Sequence, residues 1–272
     1  MPHEHPPAAS RFFWVRTGLP AQELSELPTS PPASGFLWIA CTRKLLGDQL
    51  QHVQATLQAV CGQQIVDLHV SDLLNAQLPS HYDYTSQYDL LVFRRLSPSP
   101  IADLSSTEPI AVEPDAPPPT ARAMLRRIRT SAVGFVVFDN LLLTVHPDDC
   151  TVRDAYAARL LALNNGYTGP SAAPHADAVA QETVQRDLRA APLTAGRMPT
   201  SPADIMLRMV NLIVDGYLDL RRDLSRQLDH WQIELLRPRA KTVDWTALLE
   251  ARLSLHQLDE ICEDQRAAMQ DW

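Results

Sequence analysis

The chain contains little glycine and none of the short motifs that mark common enzymes. Only nine of its 272 residues are glycine, and no GxSxG, GxGxxG, P-loop or HExxH pattern occurs. Such patterns place a nucleophile, a nucleotide phosphate or a catalytic zinc ion in the known enzyme classes. We therefore predict that the protein is not an enzyme and that it has no catalytic residue and no cofactor-binding motif.

Long apolar runs are absent as well. The best candidate for a membrane span, residues 133–145, is shorter than the roughly 18 residues required and contains Asp139 and Asn140. The N-terminal residues lack the apolar core of a signal peptide. We expect a polypeptide that is soluble and does not itself cross a membrane.

Basic clusters and paired cysteines are missing too. The formal net charge is −8, and Lys and Arg occur only in short runs, which excludes nucleic acid as the main partner. The negative net charge instead favours a protein that interacts with cations. The four cysteines, at positions 41, 61, 150 and 262, form no CxxC pair and no zinc-ligand spacing. A reducing cytoplasm is the simplest compartment for such a chain.

The first two-thirds of the chain alternate between strand-like and helix-like patterns. Residues 1–34 are rich in Pro, Ala and Ser and predict a flexible segment with a possible edge strand at 11–16. Residues 35–198 predict an α/β domain, a mixed sheet flanked by helices as an αβα sandwich. Residues 139–140 are predicted to form a two-residue primed turn with positive φ. We predict strands at 35–40, 88–96, 109–112, 123–129, 133–138 and 141–145, and helices at 46–60, 67–78, 151–163 and 178–190.

Residues 199–272 predict a long helical hairpin, or stalk. Ser201 as N-cap, Pro202 at the first helical position and Asp204 at the third are a start signal for a helix that continues to about Leu236. The apolar face of this helix recurs at steps of three or four residues: Met206, Met209, Ile213, Tyr217, Leu220, Leu224, Leu228, Trp231 and Leu235.

A second stalk helix follows a short basic break. Pro238 ends the first helix, and the second begins near residues 242–244 and continues to the end of the chain. Arg252 and Gln265 interrupt its predicted apolar stripe. That stripe comprises Trp245, Leu248, Leu255, Leu258, Cys262, Met269 and Trp272.

Several segments carry patterns that occur in the same order in one protein family. The hairpin at 138–146, with an asparagine, three leucines, a threonine and a valine from 140 to 145, is the sharpest match. Residues 211–217 of the first stalk helix also match closely. The remaining matches are 36–39, 68–75, 82–84, 88–96 and 255–266. Together these segments resemble the CorA family of divalent-cation channels, and the resemblance covers residues 36–272.

The resemblance implies a function and an assembly. It implies the cytoplasmic, metal-sensing domain of a magnesium and cobalt transport channel, at the cytoplasmic face of the inner membrane. It further implies a homopentamer, anchored by transmembrane helices that this chain lacks. Because the second helix reaches Trp272 without a stop signal, we expect a chain shortened before the membrane, with a natural homologue without a pore as the alternative. A ZntB-like zinc transporter and a stand-alone soluble scaffold are the competing interpretations.

Carboxylates are the candidate metal ligands. By its place in the segment 68–75, Asp72 matches the family's aspartate at a regulatory metal between subunits, with Ser71 where the family has glutamate. The resemblance implies that Mg²⁺ binds there, with Co²⁺, Ni²⁺ or Zn²⁺ as the alternative ions. The acidic run of the second stalk helix gives weaker candidates: Asp259, Glu260, Glu263 and Asp264. Three acids of the first stalk helix, Asp215, Asp219 and Asp223, lie four residues apart and could form a carboxylate ladder. Arg222 and Arg226 are near enough in the sequence to pair with them, and we expect ion pairs rather than a metal site.

Overall fold

In a computed structural model, the protein is described over residues 10–16, 19–97, 128–165, 197–235 and 245–272. The predicted strand at 109–112, the predicted helix at 178–190 and most of the predicted strand at 123–129 lie outside these ranges. The predicted domain boundaries stay predictions. No helix in the described ranges is long and apolar enough to cross a membrane.

Strands and helices alternate through the first part of the chain, and two long helices follow. The strands are β1 (Arg11–Val15), β2 (Gln22–Leu24), β3 (Phe36–Thr42), β4 (His81–Tyr84), β5 (Asp89–Leu96), β6 (Thr130–Val137) and β7 (Leu141–His146). The helices are α1 (Arg43–Asp48), α2 (Leu50–Cys61), α3 (Asp67–Leu74), α4 (Thr151–Asn165), α5 (Pro202–Leu235) and α6 (Trp245–Asp271). The predicted end of the helix at 46–60 agrees to within one residue with the end of α2, which Gly62 caps with φ +72°.

The strands of the described residues form one mixed sheet in the order β2-β1-β3-β7-β6-β5-β4. Only β3 and β7 are parallel neighbours, and the other pairs are antiparallel. The predicted fold class, a mixed sheet between helices, is confirmed. The strand predicted at 11–16 is not at the edge, however, because Phe12 to Trp14 pair with β2 on the side away from β3.

Each face of the sheet is covered by a different set of helices. In β3, Phe36, Trp38 and Ala40 join a core that includes buried residues of α4, α5 and α6, and we call this side the long-helix face. Leu37 and Ile39 point the other way, into a core with α1, α2 and α3, the short-helix face. Alternation along a strand sends neighbouring side chains to opposite faces, so β3, all of whose residues are buried, is covered on both faces.

The turn between β6 and β7 is held by its neighbours rather than by a primed geometry. The prediction of positive φ at 139–140 is wrong, since the only non-glycine residue with positive φ in the described ranges is Cys150. The backbone carbonyl of Asn140 accepts a hydrogen bond from the Leu37 amide at 3.0 Å. The side-chain amide of Asn140 donates to the Val60 carbonyl at 3.2 Å. These bonds to β3 and α2 fix the turn.

The start of α5 agrees with its predicted capping signal. The Asp204 amide donates to the Ser201 hydroxyl at 3.2 Å, and the Asp204 carboxylate accepts from the Thr200 amide at 3.1 Å. Ile205, Met206, Met209, Val210, Ile213 and Tyr217 of this helix are buried against the sheet.

The buried side of α6 is rotated relative to the predicted stripe. Ile261, Gln265 and Ala268 are buried, whereas Cys262 and Trp272 are exposed. Gln265 was expected to interrupt the apolar stripe, and it is a buried polar side chain on this side of the helix. Its side-chain amide donates to the carbonyl of Arg94 in β5 at 2.6 Å, which satisfies the buried polar group.

Candidate metal site

Two acids and two histidines meet between α3 and the edge strand β4. His69 and Asp72 are three residues apart and share one face of the helix. His81 and Asp83 alternate with one residue between them and share one face of the strand. They meet as two crossed pairs: His69 with Asp83, which we call the closed pair, and Asp72 with His81, the open pair.

The closed pair is a complete hydrogen-bond chain. Nε2 of His69 lies 3.1 Å from Oδ2 of Asp83, and Nδ1 lies 2.9 Å from the hydroxyl of Tyr88, which accepts from the Val66 amide at 3.0 Å. A carboxylate only accepts, so Nε2 carries a proton, and in a neutral ring Nδ1 then accepts from the Tyr88 hydroxyl. The hydrogen bond from His69 holds the pKa of the Asp83 carboxyl below its usual value.

The open pair lacks such a hydrogen bond. Nε2 of His81 lies 3.9 Å from Oδ2 of Asp72, and the two side chains are 31% and 22% exposed. Within the described residues, no hydrogen-bond donor reaches the Asp72 carboxylate. Nδ1 of His81 donates to the Pro79 carbonyl at 3.2 Å. The predicted site residue Asp72 therefore faces an imidazole nitrogen across a gap, and an oxygen and a nitrogen ligand fit a divalent cation.

The acidic run of α6 is on the other side of the sheet from Asp72. Asp259, Glu260 and Glu263 are exposed, and Asp264 is partly buried. Glu263 pairs with Arg266 at 2.6 Å, and Glu260 lies 3.5 Å from His256. Because α6 packs on the long-helix face and α3 on the short-helix face, one copy of the chain does not bring this run to Asp72. In the described part of the chain, no group of three or more His, Cys, Asp or Glu side chains could hold a metal ion.

Arg94 of β5 connects the two faces. Its carbonyl accepts from the Tyr217 hydroxyl of α5 at 3.1 Å and from Gln265 of α6. Its guanidinium donates to the Leu78 carbonyl at 2.9 Å, in the loop between Asp72 and His81. Sequence reasoning missed this residue, although an arginine inside a buried strand is itself a signal, because a buried guanidinium needs several acceptors.

A second polar group is buried at the C-terminal end of β7. His146 is fully buried, and its Nε2 lies 2.9 Å from the Thr144 hydroxyl, which accepts from the Trp38 indole at 3.0 Å. Its Nδ1 has no partner among the described residues. Burial, and secondarily the charges of Arg153, Arg95 and Arg43, lower the pKa of His146 to about 3. This imidazole is therefore neutral at physiological pH.

Comparison with known proteins supports the fold. No family model matches the chain, and no curated protein matches it. The full-length CmaX protein is similar in structure, with a TM-score of 0.58 and 12% identity over 94% of this chain. The chain spans 60% of the length of CmaX.

Two further structures are similar at lower scores. The cytoplasmic domain of ZntB from Vibrio parahaemolyticus RIMD 2210633 has a TM-score of 0.48 and 13% identity over 96% of this chain and 77% of its own. The soluble domain of CorA from Methanocaldococcus jannaschii has a TM-score of 0.30 and 12% identity over 96% of this chain and 97% of its own. The CorA and ZntB domains among these similar structures agree with the resemblance predicted from the sequence, and of the three structures only CmaX has a TM-score above 0.5.

Proposed function

We propose that the chain is the cytoplasmic, metal-sensing domain of a CorA-like transporter of Mg²⁺ and related divalent cations. The observation that supports this most is the αβα sandwich followed by two long helices, in the order that the CorA-like sequence segments predict. In this proposal the full-length protein is a homopentamer. Transmembrane helices outside this chain anchor it at the cytoplasmic face of the inner membrane.

The sensing step uses carboxylates that a cation neutralises. Asp72 is partly shielded from water, and its carboxylate accepts no hydrogen bond from the described residues. A bound cation compensates its negative charge and favours the arrangement of subunits that brings ligands together. When the cation is scarce, repulsion between acidic groups favours a different arrangement. The acids of α6 (Asp259, Glu260, Glu263 and Asp264) raise the local cation concentration in this proposal.

A ZntB-like zinc transporter is the second candidate. The specific observation in its favour is His81 beside Asp72, because imidazole is a preferred ligand of Zn²⁺ and a poor one for Mg²⁺. Both candidates share the proposed domain and differ in the ion that is carried.

The proposal is tested by ion flux into liposomes that contain the full-length gene product, comparing Mg²⁺, Co²⁺, Ni²⁺ and Zn²⁺. Under the proposal, Mg²⁺ uptake by the wild type is inhibited by internal Mg²⁺, and Asp72→Ala escapes that inhibition. Flux that is selective for Zn²⁺ moves the protein to the zinc branch. If no ion is carried, the transporter proposal fails and a stand-alone scaffold remains.

A further inference from the structure

Arg94 of β5 forms hydrogen bonds on both faces of the sheet. Its backbone carbonyl accepts from the Tyr217 hydroxyl at 3.1 Å and from the Gln265 side chain at 2.6 Å, and both donors belong to helices of the long-helix face. Nη1 of its guanidinium donates to the Leu78 carbonyl at 2.9 Å. Leu78 belongs to the α3–β4 loop, residues 75–80, and packs against the core of the short-helix face. One residue therefore bonds to two long helices and to a loop on the opposite side.

The guanidinium of Arg94 is buried and bonds to neutral acceptors. Nε donates to the Thr130 hydroxyl at 2.9 Å, and Nη2 donates to the Thr130 carbonyl at 3.0 Å. Nη1 also reaches the Ala76 carbonyl at 3.4 Å. The residue is only 9% exposed, so water does not freely replace an acceptor that is lost. A movement of the loop away from Arg94 therefore leaves buried donors without an acceptor.

The α3–β4 loop is joined to the sheet through Arg94 at two points. Besides the bond to Leu78, the Ser80 hydroxyl accepts from the Arg94 amide at 3.0 Å. The loop also has hydrogen bonds of its own near its start, where the Gln77 amide donates to the Asn75 side-chain oxygen at 2.9 Å. The Leu78 amide reaches the Asn75 carbonyl at 3.5 Å. Loss of the Arg94 contacts is therefore expected to loosen the second half of the loop.

Gln265 provides a polar contact on the buried side of α6. Its neighbours on that side, Ile261 and Ala268, are apolar. When α6 moves away from the sheet, the Arg94 carbonyl loses the donor that Gln265 supplies and keeps the one from Tyr217. The carbonyl and the side chain share one Cα atom, so a backbone change that turns the planar peptide unit towards another donor also displaces the guanidinium. The bonds on the two faces are therefore linked through one residue.

We infer that Arg94 is a positioning residue that couples α6 to the α3–β4 loop across the sheet. Displacing α6 from β5 loosens the loop, and displacing the loop loosens the contact of α6 with β5. The coupling is reciprocal, because two sites that are linked by one equilibrium affect each other equally. It operates within one copy of the chain and requires no bound ion, so it is independent of the proposed function.

The test is hydrogen–deuterium exchange of the 272-residue protein, read by mass spectrometry on a peptide that spans 75–80. Gln265→Leu removes the donor on α6 and is expected to raise the exchange rate of this peptide at least about twofold. In an Arg94→Lys background the same change is expected to leave the loop unaffected. The reason is that an ammonium keeps the charge but lacks the planar fork that bonds several acceptors at once.

Gln58→Leu is the matched control for the loss of a glutamine side chain. Gln58 of α2 donates to the Gly62 carbonyl at 2.9 Å, so this change removes the same kind of bond from a helix of the short-helix face. The 75–80 peptide is expected to keep its wild-type exchange rate in this variant. An unchanged rate in Gln265→Leu overturns the inference. An increase of equal size in Gln58→Leu, or in Gln265→Leu with and without Arg94→Lys, overturns it as well.

The reverse direction keeps the inference falsifiable if Gln265→Leu does not fold. Ser80→Ala removes the bond between the loop and the Arg94 amide. This change is expected to raise the exchange rate of a peptide that spans 261–268 of α6 at least about twofold. Exchange in α6 that stays at the wild-type rate overturns the coupling. Because no ion takes part in either measurement, failure of this inference and failure of the transporter proposal are separate results.

Discussion

The two faces of the sheet are packed with different residues and have different polar groups. The core of the long-helix face contains aromatic rings, such as the stacked Phe13 and Trp38 at 4.7 Å and Tyr156 edge-on to Trp38 at 5.4 Å. The core of the short-helix face is mainly aliphatic, and its polar pairs lie at the margin beside β4. Asp72, the first candidate metal ligand, therefore lies on a short local element, and the long helices pack on the opposite face.

Removing one large core side chain from each face tests whether the faces form one cooperative unit. Trp38→Ala is expected to lower the free energy of unfolding by roughly 4 kcal/mol, and Leu57→Ala on the other face by roughly 3 kcal/mol. Both side chains are fully buried, so each change leaves a cavity. Urea unfolding followed by circular dichroism measures both values. Two separate transitions in either variant contradict a single unit that spans the sheet.

A fall in pH is expected to lower the stability of the fold through His146, which is buried on the long-helix face. Its pKa is lowered from 6.5 to about 3 in the folded chain, so between these pH values the unfolded chain binds a proton that the folded chain does not. Stability is therefore lost as the pH falls below 6.5, by up to about 1.4 kcal/mol per pH unit from this group. Thermal or urea unfolding from pH 7 to pH 4 should show this slope in the wild type and a shallower one in His146→Leu. Equal slopes in the two proteins assign the acid sensitivity to other groups.

The junction at Arg94 is expected to couple the two long helices. Tyr217→Phe and Gln265→Leu each remove one hydrogen bond to the same carbonyl, at a cost of about 1 kcal/mol. The double variant removes both bonds and is expected to lose more than the sum of the single losses, because neither long helix then donates to the carbonyl. A double-mutant cycle in urea measures the coupling. Simple additivity means that the two bonds act independently.

The smallest effect is expected on the solvent side of α5. Asp219 pairs with Arg222 at 2.6 Å, but the side chains are 72% and 65% exposed. Asp219→Asn is expected to change the free energy of unfolding by less than about 0.5 kcal/mol, since water and salt screen exposed pairs. A loss comparable to that of Gln265→Leu shows that α5 depends on its exposed side as much as on its buried one.

The sequence predicted most elements because their signals are local. The cap at Ser201, the stop at Gly62 and the apolar run of β3 each contain enough information within a few residues. The ion pair of Asp219 with Arg222 follows from helical spacing in the same way.

The features that the sequence did not predict depend on contacts between distant segments of the chain. Gln265 is buried because Arg94 offers a carbonyl, and no pattern within α6 indicates that partner. The turn at 139–140 is fixed by Leu37 and Val60, which lie far away in the sequence. His81 was not predicted as a ligand because only the pairing of β4 with β5 fixes this edge strand beside α3. Asp72 as a metal ligand stays a prediction.

The single parallel strand pair has a consequence for the rate of folding. Apart from the β3–β7 pair, strands β1 to β3 pair among themselves, as do strands β4 to β7, and each partner is the next strand or the next but one in chain order. In contrast, Leu37 to Thr42 of β3 pair with Leu141 to His146 of β7. Closing so long a loop has a large entropic cost before any contact forms, and non-local pairings slow folding. The joining of β3 to β7 is therefore expected to limit the rate, after two local sub-sheets have begun to form.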